Sequence, residues 1–299
     1  MILAVVVAAG TLTATGSACA ARSRLSAPPV VKAVARAASR LGPSGQAMPI
    51  GDLPGWHQVF ADDFRTDPSV PVGRFARCRR ARSVMRSNCW RLPASVRRKW
   101  WAYPDGWKDT SGNGSYSPSK VLSIRNGVLN YYIHSAHGVH MVAALEPKIP
   151  GGVNHNGLRY GRYEVRFRAA RLAGYKIAWL LWPDSGVWPQ DGEIDFPEGN
   201  LNGDFYAFMH QLSATSGNQR FAYAAHHGYA SWHTAVIDWM PSYCRFVLDG
   251  RIVGTSRRDI PNTPMHWVLQ AETALGGAVP RDTTRGNIQI AWVTAYTPA

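Results

Sequence analysis

Hydrophobic and polar residues alternate in short segments along most of this chain, and turn residues separate the segments at intervals of about 8–15 residues. A period of two is typical of β-strands with one buried face, and no long segment has the 3.6-residue period of a helix. Asn126-Gly127 between two segments predicts a β-hairpin turn. We therefore predict an all-β fold: a two-sheet antiparallel β-sandwich (a jelly roll) with a concave substrate cleft. Residues 122–129 are predicted as this hairpin, with 129–134 as its returning strand. The other predicted strands are 160–169, 176–182, 205–210, 232–239, 244–248, 267–273 and 288–295.

One segment, residues 187–200, places three carboxyl groups close together. Glu193 and Asp195 lie two positions apart, as on one face of a strand. Strict alternation would next bring Pro197, rather than Glu198, onto that face. A one-residue β-bulge at residues 196–197 restores the register, and a bulge is one of the few places where a strand tolerates proline. We predict that all three carboxyl groups share one open face.

Neighbouring carboxyl groups repel one another, and a retaining glycosidase makes use of such a set. Its mechanism needs an ionised nucleophile and a protonated acid roughly 5–5.5 Å apart. We assign the nucleophile to Glu193, the acid and later base to Glu198, and a supporting role to Asp195. A calcium loop and a solvated acidic face are the alternatives. The strand-like pattern argues against the first, and flanking Trp188 favours an aromatic-walled cleft over the second.

The motif from Glu193 to Glu198 (EIDFPE) resembles the E-x-D-x-x-E signature of family 16 glycoside hydrolases, in the bulged form shared with laminarinases. Further blocks resemble the family in the same order along the chain. The resemblance covers nearly all of the chain after its N-terminal tail, and it implies a jelly roll with β-glucanase activity. The further blocks are residues 55–64 (GWHQVFADDF), 160–166 (YGRYEVR), 232–239 and 246–250 (FVLDG).

The N-terminal residues differ in composition from the rest. Residues 1–20 are small and apolar, and Ala18-Cys19-Ala20 resembles a signal-peptide cleavage site, so we expect a secreted protein. The alternative is a lipid anchor at Cys19. Residues 21–50 predict a flexible linker, and residues 51–299 a single domain. We expect no transmembrane helix and a monomer.

The cysteines and the family's metal site give two smaller predictions. In an exported protein, Cys78 and Cys89 are the natural disulfide pair, and Cys244 is expected to be a buried free thiol. Many members of the family that the chain resembles bind a structural calcium through an Asp in the final strand. Ala291 stands near that place here, so we predict no calcium, no other metal and no cofactor.

A basic insertion within residues 70–110 carries much of the charge. From Arg74 to Lys99 the chain has ten basic residues and no acidic one, against a net charge of +14 for all 299 residues. A solvated loop is one interpretation. The other is attraction to an anionic wall polymer. We expect no nucleic-acid partner, because no recognition helix or stacking sheet is evident.

Several residues outside the acidic segment are candidates for substrate binding. Trp188 and Trp107 would stack on sugar rings. The family resemblance places His210 beside the catalytic strand, and Gln270 and Glu272 alternate onto one strand face. Asn154, with its neighbour His155, lies in a loop that could approach the substrate, and His233 is expected to be structural. The candidates are Trp107, Asn154, Trp188, His210, Gln270 and Glu272.

These features favour a secreted, retaining endo-β-glycanase that hydrolyses a polysaccharide. The bulged signature favours β-1,3-glucan or mixed β-1,3/1,4-glucan, whereas the basic insertion favours a galactan or an acidic wall polymer. Two further alternatives are a carbohydrate-binding jelly roll without turnover and a cell-wall transglycosylase.

Overall fold

The alternating segments form strands in the computed structural model, which describes residues 41–65, 98–151, 157–211, 219–223 (backbone only), 229–276 and 279–299. They belong to one compact unit, Arg40–Ala299. The strands are β1 (Trp56–Asp62), β2 (Trp100–Ala102), β3 (Gly114–Tyr116), β4 (Leu122–Arg125), β5 (Val128–Ala136), β6 (Val139–Pro147), β7 (Gly161–Ala169), β8 (Tyr175–Pro183), β9 (Glu193–Asn200), β10 (Phe205–His210), β11 (Gln219–Tyr223), β12 (His233–Met240), β13 (Tyr243–Leu248), β14 (Arg251–Ser256), β15 (Met265–Thr273) and β16 (Arg285–Pro298), with one short helix, α1 (Pro118–Val121).

The strands form two sheets that share β6. The first sheet follows the order β6-β5-β16-β7-β12-β13-β14, and β1, β3 and β4 are attached to it. The second follows β11-β10-β9-β8-β15-β6, with β2 paired to β6. All of these pairings are antiparallel except that of β3 with β6. The predicted all-β, two-sheet fold is confirmed.

The core lies between the two sheets and is rich in aromatic rings. Phe167 of the first sheet meets Trp179 of the second at a centroid distance of 4.8 Å, and Tyr163 meets Trp267 at 5.3 Å. Both pairs are close to edge-to-face, the arrangement that ring quadrupoles favour. Within β8, Trp179 points into this core, so its neighbours Ala178 and Leu180 point to the opposite face, where they line a cleft.

The residues at two hairpin turns have the positive φ angles that Asn, Asp and Gly tolerate. Asn126 and Gly127 both have positive φ angles, 53° and 68°, as the predicted tight hairpin between β4 and β5 requires. Asp249 and Gly250 do the same between β13 and β14, at 49° and 79°. The alternation did not predict β1, β2, β3, β6, β11 or β14, although β1 lies in the 55–64 block that resembles the family. The segments that the alternation did predict all form strands.

Residues 100–103 (WWAY), which follow the basic segment from Arg74 to Lys99, are divided between the core and the surface. Trp100, in β2, is buried and donates a hydrogen bond from Nε1 to Asp62 Oδ2 at 2.7 Å. Trp101 is half-buried under the ammonium of Lys148, 5.0 Å from the ring centroid. These two tryptophans therefore attach β2 to the domain.

The predicted linker, residues 21–50, is too long at its C-terminal end. Gln46 Oε1 accepts a hydrogen bond from Thr234 Oγ1, and the carbonyl of Ser44 accepts one from Arg166. The carbonyl of Pro49 accepts another from Gln58 Nε2. Residues 41–50 are thus bonded to the first sheet and form part of the compact unit. In the part of the chain with described structure, no helix has the length and apolar character needed to cross a membrane.

Candidate active site

The acidic strand β9 contains the predicted bulge. Glu198 pairs with Tyr206 of β10, and Asp195 pairs with Phe208, so two steps along β10 match three along β9. The same mismatch appears on the other side, where β8 is the partner. The extra residue lies at positions 196–197, where proline has no N–H to offer the ladder. The bulge brings Glu198 to the same cleft as Glu193.

Glu193 lies at the cleft wall and has an aromatic partner. Trp188 Nε1 donates a hydrogen bond to Glu193 Oε2 at 2.6 Å. The Trp188 ring is 45% exposed and stacks on Trp182, with centroids 6.3 Å apart and planes inclined by 12°. An exposed indole with its N–H already satisfied presents an apolar face to the cleft, which suits a sugar ring.

Asp195 is buried beneath the cleft, with 1% exposure. Burial raises its pKa well above the usual range, and the charges of Glu193 and Glu198 add to the rise. Burial also raises the pKa of Glu193, and Glu198 adds to that rise, whereas His210 and Trp188 oppose it. A hydrogen bond joins the Glu193 and Asp195 carboxyl groups. The arrangement favours a protonated Asp195 that donates this hydrogen bond to an ionised Glu193.

Glu198 has a different partner. Lys176 Nζ donates a hydrogen bond to Glu198 Oε1 at 2.5 Å, and the two side chains are only 7% and 19% exposed. Lys176 was predicted only as the first residue of a strand. A lysine in a strand of otherwise apolar and aromatic residues is the signal that could have identified it, because such a charge needs a partner when it is buried.

The cleft encloses about 730 Å³ and brings together most of the predicted binding residues. Trp107, Trp188, His210, Gln270 and Glu272 all line it, although their role in binding stays a prediction. Several other residues that line the cleft were not among the predicted binding residues. These are Tyr103, Lys108, Asp109, Thr110, Tyr116, Lys176, Ala178, Leu180, Trp182, Phe208, Val268 and Leu275.

Glu272 is held by β3 and by the segment between β2 and β3. Its Oε1 accepts hydrogen bonds from Thr110 N at 3.1 Å, Thr110 Oγ1 at 2.6 Å and the Tyr116 hydroxyl at 2.7 Å. Its register partner on β8 is Lys176. This carboxylate therefore holds the wall of the cleft in place as well as facing it.

His210 links the acidic strand to β10. Its Nε2 lies 3.2 Å from Asp195 Oδ2, and its side chain is 17% exposed. Donor atoms of Glu193, Asp195 and His210 lie within 4.8 Å of one another, a spacing that a metal ion could bridge. No metal is needed for the carboxylate chemistry described below, and the absence of a metal stays a prediction.

The structure describes two further residues for which the sequence analysis made predictions, His233 and Cys244, and leaves several others undescribed. His233 is buried, and its Nδ1 lies 2.7 Å from Asp249 Oδ2, in keeping with the predicted structural role. Cys244 is a buried free thiol, as predicted. Asn154, His155, Cys19, Cys78, Cys89 and the basic insertion up to residue 97 lie outside the described residues.

Comparisons with known proteins agree with this geometry. A family model described as "Glycosyl hydrolases family 16" matches residues 140–294. A beta-glucanase from Paenibacillus polymyxa is 26% identical over 109 residues, which cover 36% of this chain and 46% of that protein. The matching part of the chain thus spans less than half of this relative's length.

Solved structures agree over a larger part of the chain. The laminarinase from Rhodothermus marinus has a TM-score of 0.62 and 19% identity, covering 82% of this chain and 98% of that one. LamAcat from Zobellia galactanivorans has a TM-score of 0.60 and 21% identity, covering 80% and 97%. At these identities the likeness shows the fold alone.

Proposed function

Because the chain belongs to family 16 of the glycosyl hydrolases, we propose that it is a retaining endo-β-glucanase. The observation that carries the proposal is the row of three carboxyl groups on β9, each with a different environment. Glu193 lies under an indole N–H, Asp195 is buried, and Glu198 is paired with Lys176. Such differences in environment allow like residues to take distinct roles in one reaction.

In the first step, Glu193 attacks the anomeric carbon and forms a covalent glycosyl ester, while Glu198 gives its proton to the departing glycosidic oxygen. In the second step, Glu198 takes a proton from water as the water oxygen attacks the same carbon and the Glu193 carboxylate leaves. Asp195 keeps its proton throughout and donates a hydrogen bond to Glu193. This bond orients the nucleophile and stabilises it whenever it is ionised.

The substrate that we propose is β-1,3-glucan or mixed β-1,3/1,4-glucan. Support comes from the bulged acidic motif and from relatives whose names are beta-glucanase. The exposed Trp188 ring and the polar Gln270, which both line the cleft, suit a neutral chain of sugar rings. We also propose, from the N-terminal sequence alone, that the protein is exported.

A panel of polysaccharides tests this function. The wild type and the Glu193→Gln variant would be incubated with β-1,3-glucan, mixed-linkage glucan, β-1,4-glucan, a galactan and an acidic wall polymer. We expect the wild type to release oligosaccharides, measured as reducing ends, from the first two, and the variant to release none. NMR of the first product should show the β-anomer. Binding without release would make the protein a binding module, release from the galactan or acidic polymer alone would overturn the glucan assignment, and an α-anomer would overturn the mechanism.

A further inference from the structure

The outward face of the first sheet, which points away from the catalytic cleft, has two halves. One half lies under residues 41–50, which bond to Arg166 and Thr234. The other half starts at Arg168, the next outward-facing residue of β7. We call this second half the outer platform, and the residues that define it are Asn130, Tyr132, Arg168, Trp232, Arg285 and Gln289.

A chain of hydrogen bonds crosses the middle of the outer platform. Gln289 of β16 is the register partner of Asn130 on β5 and of Arg168 on β7. Arg168 Nε donates to Gln289 Oε1 at 2.7 Å, and Gln289 Nε2 donates to Asn130 Oδ1 at 2.7 Å. Asn130 Nδ2 in turn donates to the Val128 carbonyl at 3.2 Å. These bonds fix the orientation of both amides and of the guanidinium before a ligand binds, which lowers the entropy cost of binding.

Aromatic rings lie on both sides of this row. Trp232, just before β12, lies under the Arg168 guanidinium, with the guanidinium carbon 4.8 Å from the ring centroid. Tyr132 of β5 stacks on His134, with centroids 4.5 Å apart and planes inclined by 21°. The strands β5, β16, β7 and β12 lie side by side, so three strand spacings, roughly 14 Å, separate the two aromatic sites across the sheet. This width accommodates a short stretch of polysaccharide.

The Tyr132 ring has no part in the core. Its neighbours Tyr131 and Ile133 are fully buried between the sheets, and alternation therefore turns Tyr132 outward, where it is 39% exposed. Trp232 is half-buried and keeps part of its ring surface exposed. Exposed aromatic surface beside fixed amide groups suits the C–H groups and the hydroxyl groups of a sugar.

The charge of the outer platform is positive. Among the described residues, the outward positions of β5, β16 and β7 on this half include exposed Arg168 and Arg285 and no acidic residue. The ion pairs formed by arginines in the described part of the chain involve Arg65, Arg162 and Arg166, and neither arginine of the platform. These two positive charges therefore favour an anionic partner.

The contacts of Arg168 prepare it for a carboxylate. Its Nε is bonded to Gln289, and its guanidinium plane is supported by the Trp232 ring. The two terminal nitrogens form the remaining donor edge of the guanidinium. Such an edge matches the two oxygens of a carboxylate, and a guanidinium on an aromatic ring loses little freedom when it binds.

We propose that the outer platform binds a polysaccharide that carries carboxylate groups, a polyuronic acid. Its sugar rings cross the strands and contact Tyr132 and Trp232, while its carboxylates pair with Arg168 and Arg285. The two aromatic sites favour a polymer whose charges are attached to sugar rings over a flexible phosphate polymer, which has no rings to contact them. The inference goes beyond the proposed function and needs no catalysis. A polymer bound here holds the enzyme in an acidic matrix while the cleft, on the other sheet, acts on a neutral glucan.

The test measures binding without turnover. The full chain carrying Glu193→Gln would be titrated calorimetrically with polygalacturonate, with poly(glycerol phosphate) and with a neutral β-1,3-glucan oligosaccharide, at about 0.15 M salt. We expect polygalacturonate to bind more tightly than the phosphate polymer, and its affinity to fall steeply as salt screens the exposed charges. A saturating amount of the neutral oligosaccharide should not displace it, because the cleft and the platform lie on different sheets.

Two variants in the same Glu193→Gln background remove the two features of the outer platform. Replacing both arginines, Arg168→Gln with Arg285→Gln, should weaken polygalacturonate binding roughly fivefold to twentyfold, the value of two exposed charge pairs. Tyr132→Ala should weaken it roughly threefold, the value of one exposed aromatic contact. Thermal unfolding would show that each variant is folded.

A second pair of arginines on the same sheet supplies the matched control. Arg251→Gln with Arg257→Gln also removes two exposed positive charges, one from β14 and one from the residue after it. Arg257 resembles Arg168 in lying over an aromatic ring, with its guanidinium carbon 6.0 Å from the Tyr243 centroid. This control should change the affinity less than about twofold, because overall charge alone has a small effect at this salt concentration.

Each outcome decides the proposal. Equal affinities in all variants would show that the outer platform is a solvated face, and an equal loss in the control would show that only overall charge matters. Tighter binding of poly(glycerol phosphate) would overturn the ligand class, and displacement by the neutral oligosaccharide would place the polymer in the cleft. Should the double arginine variant not fold, an unchanged affinity in Tyr132→Ala contradicts the platform. If the wild type cleaves no glucan and this binding is found, the proposed function fails and the outer platform stands.

Discussion

The cleft-bearing sheet holds two clusters made of the same residue types, a glutamate, an aspartate and a histidine. The first cluster consists of Glu193, Asp195 and His210, whose donor atoms lie within 4.8 Å of one another. In the second acid cluster, defined as Glu146, Asp184 and His266, His266 Nδ1 lies 2.8 Å from Asp184 Oδ1 and His266 Nε2 lies 3.9 Å from Glu146 Oε1. Composition alone does not distinguish the two.

Access to the cleft separates the clusters. Glu193 and His210 line the cleft, whereas no member of the second acid cluster does. Glu146 is 1% exposed, and its pKa rises to about 7, chiefly because of burial, with a further rise from Asp184 and an opposing effect of His266. A carboxyl group with a raised pKa is thus insufficient to mark an active site, since buried structural groups show the same shift. The comparison predicts that changes in the first cluster alter turnover and changes in the second alter stability.

The largest effect should come from Glu193→Gln, which removes the nucleophile and keeps the side-chain shape. Without a carboxylate to form the glycosyl ester, turnover should fall by roughly 10⁴–10⁶-fold, as for other nucleophile replacements. Steady-state kinetics on the preferred glucan would measure this, and circular dichroism would show that the variant is folded. Activity within tenfold of wild type would remove the distinction between the two clusters.

Glu198→Ala should lower turnover nearly as much on an unactivated glucan, because the departing oxygen then leaves without a proton. Azide, a small nucleophile that needs no base, should restore part of the activity on a nitrophenyl donor and give a β-glycosyl azide. Glu193→Gln is the control, since azide should not restore it to a β-product. An absence of any azide effect would contradict the acid/base role of Glu198.

Asp195→Asn should be milder, with a loss of roughly 10²–10³-fold in kcat, the size of one supporting electrostatic contact. The amide retains an N–H that can donate to Glu193, but an N–H is a weaker donor than the carboxyl O–H and therefore stabilises the ionised nucleophile less. The measurement is kcat and KM on the same glucan. A loss as large as that of Glu193→Gln would mean that Asp195 takes part directly in covalent chemistry.

Glu146→Gln should have the smallest effect on turnover, within about threefold, and should act on stability instead. Because the folded-state pKa of Glu146 is raised from 4.5 to about 7, its contribution to stability is fully present below about pH 4.5 and is lost as the pH rises through about 7. The free energy of unfolding of the wild type should therefore fall by about 2–3 kcal/mol over this pH range, and that of the variant should not.

Urea unfolding of both proteins at pH 5 and pH 8 measures that difference. Identical pH dependence in the two proteins would show that Glu146 does not titrate within the folded protein. A large loss of kcat in Glu146→Gln would instead show that the second acid cluster takes part in catalysis. The proposed difference between the two clusters would then be wrong.

Local patterns predicted much of the site. The proline between Asp195 and Glu198 was enough to locate the bulge, and alternation placed Gln270 and Glu272 on one face. Both features depend on residues within a few positions of one another. The hairpin at Asn126-Gly127 was predicted for the same reason, because the turn residues themselves determine the backbone.

Features that depend on distant segments were not predicted. β6 is buried along nearly all of its length, so it lacks the alternation of a one-sided strand. The hydrogen bonds from Thr110 to Glu272 join residues 162 positions apart, and no local pattern indicates them. The pairing of Lys176 with Glu198 likewise depends on the register of β8 against β9.

The position of β6 in both sheets has a consequence for how the protein comes apart. Its first half bonds to β5 through pairs such as His134 with Met141, and its second half bonds to β15 through pairs such as Leu145 with Leu269. Releasing this one strand opens an edge in each sheet at once, so the loss of β6 disturbs both sheets together. We therefore expect the amide protons of β5 and β15 that lie beside β6 to be among the slowest in the protein to exchange with solvent, which hydrogen exchange would measure.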